Sequence, residues 1–394
     1  MTTDQIRAGA DARSITPDLA TETVYLAGFD FDRPARGIHD ELMVRTIAVG
    51  HDGSEPIVIS VCDLIGMARV HEPKGQRVVA CTHTHHGPDM LGFWGKPLEG
   101  IGGIDPNYAE RVRAAVSASQ AAAIAAMEPA LLRVGSIAAP DFVTNFRDPE
   151  IVDDELSVLR AIRPDGSVIA TLCDYPCHPE VVAADNTDVT ADFAGHLCRS
   201  VEASVGGVAV FAAGALGGMQ SPPTEVRTHD EAERYGIELA ALVEDALTSG
   251  EDVDDPDVSF ARGEIEVLLE NPIYEMGMEM GLVPAAERRD GLVITEASLI
   301  RIGPMTLACV PGELLPKLGL RLKEAMRRAG ARYPVIVGLA DDELGYILAP
   351  EDFTFPADYL DPGKQYEESF SAGPALGPAV IDTIEQLLAE VGSP

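Results

Sequence analysis

The chain has 394 residues, 46% hydrophobic and 24% charged, which is long enough to bury a sizeable core without help from disulfides. Its 29 Lys and Arg stand against 64 Asp and Glu, for a net charge of −35. A field of that sign repels phosphate backbones and anionic bilayers, which excludes nucleic acid and membrane surfaces as partners, tolerates a cation or a neutral substrate, and equally suits a salt-rich cytoplasm.

The N-terminus, Met1-Thr2-Thr3-Asp4-Gln5-Ile6-Arg7, lacks the basic and apolar regions of a secretory signal. Residues 43–49, 56–61 and 77–82 are short, rich in β-branched residues and bounded by Gly, Asp and Lys, as strands are. A helix is expected over 107–127, with Asp105 as its cap and Pro106 in its first turn. Strands follow at 131–137, 156–162 and 168–173, then a helix at 192–203, a strand at 207–212 and a helix at 230–247. The later part continues the alternation, with strands at 258–268, 292–302 and 305–310, a helix over 316–328 stopped by Gly330, a strand at 334–339 and a last helix over 378–390. Short-turn strand pairs alternating with crossover helices predict a mixed α/β fold of layered mixed β-sheets flanked by helices. The acidic stretch 249–257 and the segment 270–289 are the linker or lid candidates. Neither has the Gly/Ser richness of a true domain linker, and no 20–50-residue repeat is found, so one domain is expected over 1–394. No run approaches 18 apolar residues, so no membrane span is expected.

The six cysteines (Cys62, Cys81, Cys173, Cys177, Cys198 and Cys309) are scattered, mostly in or beside apolar runs. They read as buried free thiols of a reducing compartment, with the cytoplasm as the expected location. Cys173 and Cys177 have no second pair at finger spacing, and are read as structural.

Chemistry gathers where apolar strands run out. Thr82-His83-Thr84-His85-His86-Gly87-Pro88-Asp89 places three of the nine histidines in four residues, too dense for packing. In an extended segment His83 and His85 share a face while His86 turns away, and spacing alone does not say which is a ligand. A second cluster, Asp174-Tyr175-Pro176-Cys177-His178-Pro179-Glu180, presents His178 rigidly between prolines. A third, Val310-Pro311-Gly312-Glu313, sets a carboxylate at the mouth of a helix, where it reads either as a cap or as the third member of a His, His, carboxylate zinc set. Tyr346, in Gly345-Tyr346-Ile347, reads as core on its own.

In this order the pieces resemble the N-terminal catalytic domain of the neutral/alkaline non-lysosomal ceramidases, over most of the chain. Leu26-Ala27-Gly28-Phe29 is similar to the family's Met-x-Gly-Tyr, and Gly37-Ile38-His39 followed by Arg45-Thr46-Ile47-Ala48 to its Gly-Ile-His…Arg-Ala strand. Thr82-His83-Thr84-His85-His86-Gly87-Pro88 is similar to its Thr-His-Thr-His-Ser-Gly-Pro. Asn145-Phe146-Arg147-Asp148-Pro149, Cys177-His178-Pro179, Asp192-Phe193-Ala194-Gly195, Pro311-Gly312-Glu313 and Tyr346-Ile347 with Glu351-Asp352-Phe353 and Tyr366-Glu367 follow in register. The resemblance implies one zinc ion per chain held by His83, His178, Glu313 and Tyr346, with His85 beside the reacting carbonyl and Arg147 as a substrate-binding cation. The family's catalytic Ser falls on Gln220 without a gap and on Ser221 with a shift of one. The family's C-terminal β-domain and secretion signal have no counterpart in the sequence.

The expected function is a zinc-dependent hydrolase that attacks an amide (or ester) carbonyl of a small cytoplasmic substrate through metal-bound hydroxide, zinc lowering the pKa of its water to about 7. Tyr346 would ligate the ion or donate to the oxyanion, Asp63 and Asp192 would orient a ligand histidine, and Ser221 would be a covalent nucleophile. The alternatives are an N-acyl lipid (ceramide-type) amidase and a catalytically silent metal-binding protein of the same fold. Homo-oligomerisation is left open.

Overall fold

The computed structural model of the chain describes residues 5–69, 75–254 and 256–391. The first four residues, which belong to the segment searched for a secretory signal, and Asp255 of the acidic stretch lie outside them.

The first sheet is built from β1 (Ile6–Ser14), β2 (Met43–His51), β3 (Ile57–Cys62) and β4 (Arg77–Cys81), with Glu128–Pro129 on the far edge of β1. Strands β1, β2 and β3 form an antiparallel meander, and β4 joins β3 in parallel. Helix α1 (Pro106–Ala125) covers this sheet. Asp105 caps it as expected, its carboxylate accepting from the amides of Asn107 and Tyr108. The second sheet repeats the scheme. Strands β5 (Leu131–Ala138), β6 (Glu155–Ile162) and β7 (Val168–Tyr175) meander, and β8 (Val208–Ala213) adds in parallel to β7 after helix α2 (Asp192–Val205). Helix α3 (His229–Thr248) then packs beside α2. The third sheet repeats it again, with β9 (Val258–Val267), β10 (Leu292–Ile302) and β11 (Met305–Cys309) antiparallel. The crossover helix α5 (Pro316–Arg328) leads to β12 (Tyr333–Val337), which is parallel to β11. Between β9 and β10 lies helix α4 (Pro272–Glu279), and α6 (Leu376–Val391) closes the chain against β9.

The three sheets meet face to face around one apolar core that draws Ile47, Ile59 and Val78 from the first, Leu159, Leu172 and Val210 from the second, and Leu307 and Val335 from the third. Each fully buried aliphatic side chain contributes roughly 1.5–3 kcal/mol. A second core lies under α1, α2 and α3 (Tyr108, Val112, Phe193, Leu197, Tyr235), and a third under α5 and α6 (Leu318, Leu322, Val380, Ile384). In each sheet the last two strands run parallel, so three pairs of strand ends point the same way along their pairs, the position where open α/β sheets collect functional groups.

The mixed α/β architecture is the one expected, and most strands and helices fall within a few residues of their expected ends. Three features differ. Strand β1 went unread because its inward positions are small (Ala8, Ala10, Ala12), which weakens the alternation that marks a strand. The two linker or lid candidates are integral to the fold: Glu251–Val253 pairs with β5 in the second sheet, and α4 lies within 270–289.

A buried ion pair fastens α5 to the second sheet. Lys323, 1% exposed, places its ammonium 2.7 Å from Asp153 and 3.3 Å from Glu155. Asp153 in turn donates its amide to the side chain of Gln220 at 3.0 Å. Lys323→Met strips the cation from a buried carboxylate and is expected to cost about 3–5 kcal/mol in urea unfolding. Arg328→Met, which breaks an exposed pair with Glu324, is expected to leave the midpoint unchanged.

Candidate metal centre

Each parallel strand pair delivers one side chain to a common point. His83 follows β4, His178 follows β7, and Glu313 follows β11. All three are buried, and His83 stands at φ 69°, a left-handed backbone that costs a non-glycine residue roughly 1–3 kcal/mol and tends to mark functional positions. The Nε2 atoms of His83 and His178 lie 3.3 Å and 3.2 Å from the same Glu313 Oε2.

In two of the pairs the chain beyond the partner strand holds the histidine in place. Nδ1 of His83 lies 2.6 Å from the carbonyl of Ile65, just past β3, and Nδ1 of His178 lies 2.8 Å from the carbonyl of Gln220, past β8. A carbonyl only accepts, so both Nδ1 atoms carry the proton, and in the neutral rings both Nε2 atoms present a lone pair to a carboxylate oxygen. Three electron-pair donors meeting without a proton or cation between them repel one another. Bonds of about 2.0 Å in a tetrahedral zinc site give ligand separations of about 3.3 Å. The donor set and its spacing therefore fit a zinc-type ion. Burial works against ionising Glu313, but the two histidines outweigh it and hold its pKa below the usual carboxylate range.

Tyr346 lies beside Glu313, their backbones paired in a short parallel ladder with Glu313 opposite Tyr346. Burial first, and then the Glu313 charge, push the phenol well above its ordinary value, and its hydroxyl also meets Met219 Sδ at 3.2 Å. Tyr346 thus lines the cluster beside Glu313.

The imidazole of His85 packs edge-on against both other rings, at centroid distances of 5.0 Å from His83 and 5.6 Å from His178. Ligand atoms of His83, His85 and His178 all lie within 4.8 Å of one another. Neither ring nitrogen of His85 has a hydrogen-bond partner, and burial together with the neighbouring histidines holds its pKa well below 6.5. Gly28, at φ 114°, backs this ring so closely that a Cβ there would sit 2.5 Å from His85 Cγ. His86 turns away, as its place in the run suggests, with Nε2 3.2 Å from the Ala183 carbonyl.

The remaining expected residues stand one layer out. Arg147 is bound to Glu367 and Glu368, with 2.8 Å to Glu368 Oε1, and donates to the Asp352 carbonyl at 3.0 Å. Its guanidinium is committed to buried carboxylates behind Tyr346. The Gln220 side chain is fully engaged with the backbone of Asp153, Pro176 and Ala215, so this residue frames His178. The Ser221 hydroxyl donates to Glu180, whose other oxygen faces His85 Nδ1 at 3.6 Å. Asp63 does not orient a histidine, because it binds Arg45 at 3.1 Å and the Met43 amide. Asp192 instead fixes the turn after His178 through the amides of Val181 and Val182.

Two carboxylates went unread in the sequence. Glu180 sits two residues past His178, a spacing that was the only available signal. Glu343 lines the small pocket over the cluster together with His83, His85, Glu313 and Tyr346. Its Oε2 is buried without a partner, and burial followed by the Glu313 charge pushes its pKa well above the ordinary value.

No family profile and no curated relative matches the sequence. Among solved structures the chain is similar to neutral ceramidase from Pseudomonas aeruginosa, with a TM-score of 0.77 and 17% identity, covering 99% of this chain and 75% of that one. It is also similar to a ceramidase complexed with C2, with a TM-score of 0.77 and 18% identity, covering 100% and 76%. The protein therefore has the ceramidase fold, as the sequence motifs implied.

Ion uptake should depend on pH in a defined direction. Burial lowers the affinity of His178 for a proton, but the hydrogen bond and charge of Glu313 and the charge of Glu180 win, and its pKa in the ion-free protein lies above 6.5. The ion takes only the neutral ring, so uptake is complete above that raised pKa and is lost as pH falls through it, by roughly tenfold per pH unit, with protons released on binding. Zn²⁺ titrations in weakly and strongly ionising buffers across this range test it. A flat affinity with no proton release contradicts the assignment.

Proposed function

We propose that residues 1–394 form one catalytic domain that hydrolyses an amide, or ester, bond of a small substrate with the help of one zinc ion. The observation that carries this reading is the pair of Nε2 atoms converging on one carboxylate oxygen at tetrahedral spacing, beside a histidine with no partner. His83, His178 and Glu313 would hold the ion. When bound, it supplies carbonyl polarisation and acidifies nearby water to a pKa of about 7.

The chain's own residues divide the proton work. With the His85 proton on Nδ1, facing Glu180, Nε2 carries the lone pair that takes a proton from the attacking water. Glu180 then offsets the imidazolium charge, and the Ser221 hydroxyl holds Glu180 in place. In this reading Ser221 is a positioning residue and water is the nucleophile. The Tyr346 hydroxyl, kept protonated, donates to the developing oxyanion. Glu343, also kept protonated, gives the proton from its carboxyl to the leaving nitrogen as the C–N bond breaks. Arg147 positions Glu367 and Glu368 behind Tyr346 and does not touch substrate.

The small pocket shares Leu91, Phe93, Tyr274 and Glu343 with a cavity of 330 Å³ walled by Met67, Met90 and Val283 among others. That volume is at the lower end of the roughly 300–1,000 Å³ of ligand sites, and suits one short apolar arm. The fold match to neutral ceramidase favours a second reading, an N-acyl lipid amidase. Among the described residues no helix is long and apolar enough to cross a membrane, and six buried free thiols support a reducing compartment.

His83→Ala and His178→Ala are expected to lose the ion and all hydrolysis, measured by elemental analysis and an amide and ester panel. A metal-free wild type sinks the reading, and bound ion without turnover on any substrate supports a silent binding protein. Glu343→Gln is expected to lower kcat about 10²–10⁴-fold while KM stays within a few-fold. Faster turnover of a long-chain ceramide analogue than of short N-acyl amides would transfer the assignment to the lipid reading.

A further inference from the structure

The chain has nine histidines, of which His83, His85 and His178 gather at the first centre and His86 stands beside them facing away. Three more, His39, His196 and His229, come together elsewhere, although they lie far apart in sequence. His39 and Asp40 follow the short strand Gly37–Ile38, which pairs in parallel with Asp188–Val189. His196 lies in the early part of α2, and His229 is the first residue of α3. Ligand atoms of His39, Asp40 and His196 all lie within 4.8 Å of one another, and the His229 ring stacks on His39 with centroids 3.7 Å apart and planes 17° from parallel.

Two nitrogens in this group, His196 Nε2 and His229 Nδ1, are shielded from solvent without a hydrogen-bond partner. Burial, and then the charge of Arg199, lower the pKa of His196; burial, and then His39, lower that of His229. A neutral imidazole in either position offers a lone pair from that nitrogen. Asp40 is already aimed by the Thr190 hydroxyl at 2.7 Å and the Ala191 amide at 2.9 Å, leaving further acceptor capacity on its carboxylate. Arg199, 3.8 Å from Asp40, opposes an incoming ion, and Asp188, Asp230 and Glu233 act on the same rings in the opposite sense.

We propose that His39, Asp40 and His196 form a second binding site for a transition-metal dication, with His229 as an adjacent fourth donor. A set of imidazoles with one carboxylate suits Zn²⁺, Co²⁺, Ni²⁺ or Cu²⁺ and disfavours Ca²⁺ and Mg²⁺. Such an ion ties the Gly37–Asp40 segment to the beginnings of α2 and α3. The tie continues to the first centre through Thr190, which accepts from the Thr84 hydroxyl at 2.8 Å and donates its amide to the His86 carbonyl at 3.3 Å. The second ion is a brace for the loop that carries His83 and His85.

Tag-free protein titrated with Co²⁺ and counted by elemental analysis after gel filtration tests this. Wild type should retain two ions per chain, His39→Ala/His196→Ala one, His83→Ala/His178→Ala one, and the fourfold variant none. In the His83→Ala/His178→Ala background, Co²⁺ should raise the thermal midpoint, and adding His196→Gln, a milder change, should abolish that rise. Equal stoichiometry in wild type and His39→Ala/His196→Ala overturns the proposal, as does a thermal shift that survives His196→Gln. A lone ion at His39 and His196 with none at His83 and His178 would support this site while contradicting the first centre, so the two claims fail separately.

Discussion

Two imidazoles donate Nδ1–H to backbone carbonyls and turn their Nε2 atoms on a single carboxylate oxygen, and the rest of the centre depends on that arrangement. Backbone carbonyls are poor places to negotiate a tautomer, because they cannot give a proton back. Once Ile65 and Gln220 fix the Nδ1 protons, the Nε2 atoms are committed as acceptors or ligands, and only a cation or extra protons can sit among them. The backbone strain at His83 and the close approach of Gly28 to His85 are local costs of keeping this geometry.

The fold provides that geometry three times over. In each sheet a three-stranded meander is extended by one parallel strand, so each parallel pair presents two neighbouring chain ends. One end carries a reacting side chain and the other supports it: His83 with Ile65, His178 with Gln220, Glu313 with Tyr346. The apolar core common to the three sheets keeps the pairs in fixed relation, and the Lys323–Asp153–Gln220 connection carries the packing of α5 to the carbonyl that holds His178.

The sequence made the ends of strands legible because an apolar run that stops at His83, His178 or Glu313 is a local pattern. The ordered motifs also pointed to the right fold, which the structural match bears out at 17% identity. Distances between segments were not legible. Glu180 and Glu343 read as ordinary acidic residues until folding buried them beside His85 and Glu313. Arg147 stood in the resemblance as a substrate-binding cation, and its partners Glu367 and Glu368, more than two hundred residues away, were not legible. The Gln220 and Ser221 ambiguity is one of alignment in sequence; in space the two side chains do different work, one binding backbone and the other binding Glu180. Strand β1 was lost because alanine fills its inward positions as well as a larger residue would, without announcing a strand.

The threefold origin of the cluster also sets a clock. His83, His178 and Glu313 belong to successive sheets, and Tyr346 arrives only after the final parallel strand. During synthesis the first sheet can close around its own meander, and the second can dock on it, before the first centre is complete. The third sheet supplies Glu313, the carboxylate on which His83 and His178 converge, so loading of the first centre would wait until most of the chain has left the ribosome. A chain cut short anywhere before β11 would carry His83 and His178 without Glu313.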